Sequence, residues 1–96
     1  MSARFEWDAN KAATNLRKHA VSFDEASTVF DDPLACIFDD EDHSAEEARE
    51  IIIGHSIRGR LLVVSFVERV HEVVRIISAR SATRRERKDY EENPYR

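Results

Sequence analysis

The fold of this chain is decided by two apolar runs, Leu61-Leu62-Val63-Val64-Ser65-Phe66-Val67 and Val73-Val74-Arg75-Ile76-Ile77. Both are rich in β-branched residues, which favour strands. We predict strands at Arg60–Glu68 and Val70–Ala79, joined near Arg69 by a tight turn as an antiparallel hairpin. Because both strands are apolar on two faces in their middles, we expect a central position in a sheet. Helices would cover one side of it, and a loop or a partner the other.

The segments around the hairpin predict a small mixed domain. The elements predicted from capping residues and apolar periodicity are helices at Ala9–His19 and Phe23 to about Phe30, strands at Leu34–Phe38 and Glu47–Ser56, and a last helix capped by Ser81 or Thr83 that runs to about Glu92. Phe5-Glu6-Trp7 is predicted to be a short extended entry. The predicted class is therefore α+β, with two N-terminal helices, a four-stranded antiparallel sheet and a C-terminal helix.

Length and composition predict a single domain over residues 1–96 with one modest core. The start of the chain does not have the pattern of a signal peptide, and no apolar run approaches the ~18 residues of a membrane span. We therefore expect a cytoplasmic protein that does not enter the membrane. Cys36, the single cysteine, stands in an apolar run and is expected to be a buried, inert thiol.

The charges of the chain are segregated along the sequence, although the net charge is only -4. Residues 22–50 hold eleven acids and one base, whereas residues 58–88 hold nine bases and three acids. The basic segment can attract a phosphate backbone and the acidic one a basic partner, or both can be ordinary solvated surface.

Arginines interrupt the apolar strands at Arg60, Arg75 and Arg80. Strict alternation along the strand places Arg75 and Arg80 on opposite faces of the sheet. An arginine inside such a strand is costly unless it is paired or functional. For Arg75 the structural alternative is a pair with Glu68 or Glu72 across the hairpin. The guanidinium fork fits phosphate oxygens, so the functional alternative is phosphate binding.

Two further groups of residues are candidates for a functional site. His55 stands near the turn that leads to Arg60, where it can act as a general acid or base or lie at the surface. The last helix is almost entirely charged, and its candidate RNA-binding residues are Arg84, Arg85, Arg87, Lys88 and Tyr90. Tyr90 is expected either to pack in the core or to stack on a base.

The chain has no zinc-binding pattern and no glycine-rich phosphate loop. The acidic run Asp39–His43 lacks the spaced ligands of a calcium loop, and a solvated loop is the favoured interpretation. We expect no metal and no cofactor.

The order of several motifs resembles one known family. The first half contains Phe5-Glu6-Trp7-Asp8-x-x-Lys11-Ala12, Asn15-Leu16-x-Lys18-His19-x-Val21-Ser22-Phe23-x-Glu25-Ala26 and Val29-Phe30-x-Asp32-Pro33. The second half contains Gly54-x-Ser56-x-x-Gly59-Arg60, Glu68-Arg69, Arg75-Ile76-Ile77-Ser78-Ala79-Arg80 and Glu86-Arg87-x-x-Tyr90-Glu91. Together they resemble the BrnT toxins over residues 5–92. One departure is Ala20, where the family usually has glycine after Lys-His, so the first helix is expected to end differently.

The resemblance implies a RelE-like fold and a ribonuclease toxin of a type II toxin–antitoxin module that arrests translation. It also implies a cognate BrnA antitoxin with a ribbon-helix-helix-type domain. Operator DNA would be bound only through this domain of the antitoxin. For such an enzyme we expect metal-independent RNA cleavage. Arg60, Arg75 and Arg80 would stabilise the phosphorane oxygens, and His55 or Glu68 would move the proton.

The alternative function is a non-catalytic co-repressor that binds the antitoxin and tunes its affinity for the operator. RNA cleavage by the purified protein separates the two functions. Direct DNA binding by this chain alone is disfavoured by its acidic total charge.

Overall fold

The computed structural model describes residues 4–40 and 48–92. Its elements are β1 (Arg4–Glu6), α1 (Ala9–His19), α2 (Phe23–Thr28), β2 (Cys36–Asp39), β3 (Arg49–His55), β4 (Leu61–Arg69), β5 (Val73–Ser81) and α3 (Arg84–Glu91). The strands form one sheet in the order β1-β5-β4-β3-β2. The predicted α+β class is confirmed, with five strands in place of four. The predicted extended entry is strand β1, which pairs parallel to β5, while all other pairs are antiparallel.

Helices α1 and α2 cover one face of the sheet and enclose the main core. Its largest fully buried side chains include Phe23 of α2, Phe66 and Leu62 of β4, and Ile76 of β5. Phe30 extends this core, because its ring meets that of Phe66 at a centroid distance of 4.9 Å. The main hydrophobic core of the protein therefore lies on this side of the sheet, beneath α1 and α2.

Helix α3 covers part of the opposite face with a smaller core. The buried residues of this second core are Cys36, Ile53, Leu61, Val63 and Tyr90. Thr83 begins the helix with the predicted capping box, in which its side chain accepts from the Glu86 N–H while Glu86 accepts from the Thr83 N–H. Eight residues cannot cover a five-stranded sheet, so the rest of this face lies outside α3.

Several predicted boundaries shift for local reasons. Strand β2 begins at Cys36 rather than Leu34, because Asp32 holds a turn by accepting from the Leu34 and Ala35 N–H groups. Val70–Glu72 forms a 3-10 turn, with φ of 61° at both His71 and Glu72, and β5 therefore begins at Val73. The predicted strand start at Glu47 and residues 41–43 of the predicted acidic loop lie outside the described residues.

Helix α1 ends in the left-handed conformation despite the alanine. Ala20 has φ 56° and ψ 33°, and its N–H donates to the Leu16 carbonyl. The expectation of a different helix end is wrong. Arg60 donates to the Ala20 carbonyl at 3.0 Å, which fixes the strained residue from outside the helix.

No helix within residues 4–40 and 48–92 has the length and apolar character needed to cross a membrane.

Candidate functional site

A β-bulge places Arg75 and Arg80 on the same face of the sheet. Opposite the bond between Ser65 and Phe66 the register shifts, so that Ile77 is an extra residue on β5. Arg75 then pairs with Val67 and Arg80 with Val63. Because these valines are four residues apart on a regular strand, their partners share a face, about 13 Å apart along the strand. The predicted opposite faces are wrong, since strict alternation does not allow for a bulge.

This shared face is the one that α3 covers only in part. Val63 lies in the core beneath α3, whereas Ser78 beyond it is exposed. This face carries Arg4 and Glu6 on β1, His55 on β3 and Arg69 on β4. Its other polar residues, as the register gives them, are Arg49 and Ser65 on β3 and β4 and Arg75, Ser78 and Arg80 on β5. We call these five residues the arginine face. They form a polar surface on the sheet itself, with two hydroxyls between three guanidinium groups.

Arg80 is oriented by α3 while part of its guanidinium remains open. Its Nη1 and Nη2 donate to the two Glu86 carboxylate oxygens at 2.7 and 2.8 Å, and Nη1 also donates to the Ser81 carbonyl at 3.3 Å. The pair with Arg80, aided by hydrogen bonds from Thr83, lowers the pKa of Glu86 to about 2. Within the described residues the Arg80 Nε–H and the second N–H of Nη2 have no protein acceptor, and these two form one edge of the guanidinium fork.

Arg75 pairs with an acid that the sequence argument did not consider. Its Nη1 donates to Glu6 of β1 at 3.1 Å, and Arg69 lies 3.6 Å from the same carboxylate. The predicted pairing with Glu68 or Glu72 is wrong, because β1 adds a strand beside Arg75. The Arg75 side chain is 33% exposed, so it remains accessible from the arginine face.

Arg60 lies on the other side of the sheet in a closed ion pair. Its guanidinium makes two hydrogen bonds to the buried Glu25 carboxylate of α2, and Ser56 donates to the same carboxylate at 2.7 Å. The Arg60 hydrogen bonds are the main cause that lowers the pKa of Glu25 and raises that of Arg60. The structure thus separates Arg60 from Arg75 and Arg80 and joins α2 to the β3–β4 turn through it.

His55 belongs to a short hydrogen-bond chain under the end of α3. Tyr90 donates to Asp32 Oδ2 at 2.8 Å, and His55 Nδ1 lies 3.1 Å from the Tyr90 oxygen. Because the hydroxyl has one hydrogen and gives it to Asp32, Nδ1 is the donor to Tyr90 and the neutral ring keeps its lone pair on Nε2. The His55 side chain is 41% exposed, so this lone pair belongs to a group that solvent reaches.

The Asp32 carboxylate is the acceptor at the end of this hydrogen-bond chain. It accepts from the His55 and Leu34 backbone N–H groups as well as from Tyr90. Burial alone would raise the pKa of Asp32, but these hydrogen bonds together hold it below its ordinary value. In the sequence, Asp32 was noted only as part of the motif Val29-Phe30-x-Asp32-Pro33, and no site role was predicted for it.

Glu68 lies on the helix-covered face, away from the two strand arginines. It pairs with Val74, which belongs to the main core. Burial of Glu50 is the main cause that raises the pKa of that residue, and the nearby charges of Glu68 and Asp39 raise it further. The structure therefore places Glu68 among acids rather than beside Arg75 and Arg80.

The cations of α3 lie at the surface, whereas its tyrosine does not. Arg84, Arg85, Arg87 and Lys88 are all exposed. Tyr90 is only 4% exposed and its ring meets that of His55 edge-on, at a centroid distance of 5.1 Å. A ring in this position offers no face to a base, so the structure supports the core role of the two expected for Tyr90.

Sequence reasoning also missed residues of the arginine face. Arg49 was treated only as part of a charge count and Ser65 only as a strand residue, and no short motif marks either; Ser78 stood within the motif Arg75 to Arg80, but no role was predicted for it. Within the described ranges no group of three or more His, Cys, Asp or Glu side chains is placed to hold a metal ion.

Comparisons with known proteins define the class as a ribonuclease toxin of a type II toxin–antitoxin system. The family described as "Ribonuclease toxin, BrnT, of type II toxin-antitoxin system" matches residues 7–86. The chain belongs to this BrnT family, as the motifs indicated. A toxin of this type implies a cognate antitoxin.

A solved structure supports the same assignment. The chain is similar to the crystal structure of the Brucella abortus ribonuclease toxin BrnT, with 26% sequence identity and a TM-score of 0.67. The match covers 86% of this chain and 100% of that one. A search of curated proteins found no match.

Proposed function

We propose that this protein is a metal-independent endoribonuclease that cleaves RNA in the cytoplasm and so arrests translation and growth. The observation that carries the proposal is the position of Arg75 and Arg80 on one open face of the sheet, with serine hydroxyls between them. Fixed cations and hydroxyls of this kind suit a phosphodiester backbone better than a small apolar ligand.

The reaction that fits these residues needs no bound cation other than arginine. The RNA 2′-oxygen attacks the adjacent phosphorus, and the bond from phosphorus to the 5′-oxygen breaks. A 2′,3′-cyclic phosphate remains, and the 5′-oxygen takes up a proton from water to become a hydroxyl. Negative charge builds up on the equatorial oxygens in the transition state, where oriented donors are most effective. The open edge of Arg80, held in place by Glu86, supplies two such donors, and Arg75 would bind a neighbouring phosphate.

His55 is the better of the two proton-transfer candidates. Its Nδ1 is engaged by Tyr90 and Asp32, which orients the ring and leaves Nε2 as an acceptor for the 2′-hydroxyl proton. His55 pairs with Leu61 of β4, and Arg80 pairs with Val63, two residues further along the same strand. His55 and Arg80 therefore lie on the same face of the sheet. Glu68, on the opposite face, has no comparable support.

The exposed cations of α3 would extend the binding surface beyond the scissile phosphate. Arg84, Arg85, Arg87 and Lys88 are exposed on the helix that flanks Arg80. Their contribution to RNA binding would be electrostatic and independent of sequence, so it should decrease steeply as salt rises.

The antitoxin would be a BrnA-type protein that binds the toxin and carries a ribbon-helix-helix-type domain for operator DNA. We infer that its toxin-binding segment covers the arginine face. Phe38, which is 44% exposed, borders this face through its pairing with Ile51. A segment with an apolar residue for Phe38 and carboxylates for the arginines would neutralise the toxin by occupying the place of RNA.

Incubation of a defined RNA with the purified protein in EDTA tests the proposal. Cleavage to a 2′,3′-cyclic phosphate product is expected, and added antitoxin should abolish it. Induction of the toxin alone should stop bacterial growth, and co-expressed antitoxin should restore it. Well-folded protein that leaves RNA intact but tightens the antitoxin on its operator would instead identify a co-repressor. Activity lost in EDTA and regained with Mg²⁺ would remove the claim of metal independence.

A further inference from the structure

A groove of about 330 Å³ runs between α1 and β5. Its lining residues are Asn10, Lys11, Thr14, Asn15, Lys18, His19, Ile77 and Ser78. This lining contains amides, hydroxyls, an imidazole and two ammonium groups, and no carboxylate. Both charged side chains of the lining, Lys11 and Lys18, are therefore cations.

The charged residues of α1 are all cations. From Ala9 to His19 the helix carries Lys11, Arg17 and Lys18 and no acid. Lys18 and His19 near the C-terminus are favourable for the helix dipole, but Lys11 lies in the first turn, where a cation is unfavourable. The Asp8 carboxylate at the N-cap attracts Lys11 and offsets this cost, and Lys11 and Lys18 line the same groove.

The groove is continuous with the arginine face through an open stretch of the sheet edge. Strand β1 pairs with β5 only from Val73 to Arg75, so from Ile76 onward β1 does not cover that edge. Ser78 belongs both to the arginine face and to the groove lining. A chain lying on Arg75 and Arg80 can therefore pass over Ser78 onto α1 without leaving a polar surface.

Asn15 makes this edge rigid in the absence of a paired strand. Its side chain donates to the Ala79 carbonyl at 2.8 Å and accepts from the Ala79 N–H at 3.0 Å, as a neighbouring strand would. It also donates to the Val21 carbonyl, which ties the end of α1 to the same point. The spacing between α1 and β5 is thereby fixed, and the groove is preformed.

We propose that the groove between α1 and β5 binds the phosphodiester backbone of single-stranded RNA on one side of the scissile phosphate, through Lys11 and Lys18. This inference rests on the proposed ribonuclease function and adds a second subsite to it. Because the contacts are to phosphates, the subsite would serve RNA of any sequence and would be used only by substrates long enough to reach it.

The test measures fluorescence anisotropy of a labelled, single-stranded 2′-O-methyl oligonucleotide of ten nucleotides, which binds but cannot react. The Lys11→Ala/Lys18→Ala double variant should bind about tenfold more weakly than the parent, and the slope of log K against log salt should fall by about 1.4, the value for two lost phosphate contacts. Both lysines are exposed on a helix, so alanine should leave the fold unchanged.

The matched control is Arg17→Ala/Arg58→Ala, which removes the same two charges from outside the groove. Arg17 lies on the same helix but not in the lining, and the Arg58 side chain is 71% exposed at the β3–β4 turn. This control should bind within about twofold of the parent. Cleavage of a dinucleotide, which cannot span both sites, should be equal in the parent and the lysine variant.

Parent-like binding by the lysine variant would overturn the subsite while leaving the ribonuclease function intact. A parent that does not bind the oligonucleotide, or an equal loss in both double variants, would overturn it as well. If the lysine variant keeps its RNA affinity but loses the antitoxin, the groove is an antitoxin site and the proposal is wrong. A parent that binds through these lysines but cleaves no RNA would support the groove and refute the enzyme.

Discussion

At the scale of single residues, the same side chain has different surroundings according to the face of the sheet on which it lies and the burial of its acidic partner, because Glu25 is 5% exposed and Glu86 25%. The Arg60 guanidinium is engaged by Glu25 and by the Ala20 carbonyl, on the helix-covered side of the sheet. The Arg80 guanidinium is held at one end by Glu86 and keeps one edge open towards the other side. We therefore expect a structural role for Arg60, and we propose that Arg80 binds phosphate.

The first prediction concerns Arg60. Arg60→Ala should lower the free energy of unfolding by about 2–4 kcal/mol, because it leaves the buried Glu25 carboxylate without its partner. Urea denaturation of both proteins measures this. Arg58→Ala is the control, since Arg58 lies 3.8 Å from the same carboxylate but is 71% exposed, and it should cost less than about 0.5 kcal/mol. An unfolding midpoint unchanged by Arg60→Ala would contradict the structural role.

The roles of the individual site residues were the most difficult feature to predict from the sequence. The motif Arg75 to Arg80 was predicted to bind phosphate, but its two arginines share a face only because of the extra residue Ile77, which no local sequence pattern indicates. The partners Glu25 for Arg60 and Glu6 for Arg75 are 35 and 69 residues distant in the chain. Such pairs follow from the tertiary fold, and a single sequence contains no signal for them.

At the scale of elements, local sequence patterns were sufficient to predict the helices and the central strands. The caps at Asp8, Ser22 and Thr83 all accept the backbone hydrogen bonds expected of them. The β-branched runs formed the central hairpin as predicted. Strand β1 was underestimated, because three residues are too short for a periodic signal and its pairing with β5 is long-range.

The second prediction concerns the end of α1. Ala20 has φ 56°, a conformation that glycine adopts without the penalty of a Cβ. Ala20→Gly should therefore stabilise the protein by about 1 kcal/mol. Ala13→Gly, at an exposed position inside the same helix, should destabilise it by about the same amount. Thermal melts should give a melting temperature above that of the parent for Ala20→Gly and below it for Ala13→Gly. A melting temperature below the parent for Ala20→Gly would count against this prediction.

At the scale of the whole molecule, folding partly separates the charges that the sequence segregates. Arg49, Arg75 and Arg80 lie on the arginine face, where Glu6 and Glu86 pair with two of them, while Asp39, Glu50 and Glu68 lie on the face that α1 and α2 cover. The acidic total charge is therefore compatible with a surface that binds RNA, because a ligand meets the local field of one face.

The third prediction concerns the dependence of stability on pH. The pKa of Glu86 is about 2 in the folded chain against 4.5 ordinarily, so the unfolded state takes up its proton first as pH falls. The stabilisation is complete above about pH 4.5 and is lost progressively as the pH falls towards 2. Glu25 and Asp32, whose pKa values are also lowered, act in the same direction.

Thermal melts from pH 6 to pH 2.5 compare the parent with Glu86→Gln. The variant should melt below the parent at pH 6, and its melting temperature should decrease less steeply below pH 5, so that the two curves converge in acid. Curves that stay parallel over the whole range would show that Glu86 does not contribute through its charge.

The central claim is that RNA is cleaved on the arginine face, and single-turnover cleavage of a defined RNA by Arg80→Lys tests it most directly. Lysine keeps the charge and can still pair with Glu86, but it lacks the second edge of the fork that would bind the phosphate. We predict a rate at least about 100-fold below the parent, comparable to the loss of one transition-state donor, in a variant whose cooperative thermal melt shows that it is folded at the assay temperature. Arg58→Lys should cleave at the parent rate. Cleavage by folded Arg80→Lys at the parent rate would contradict the account.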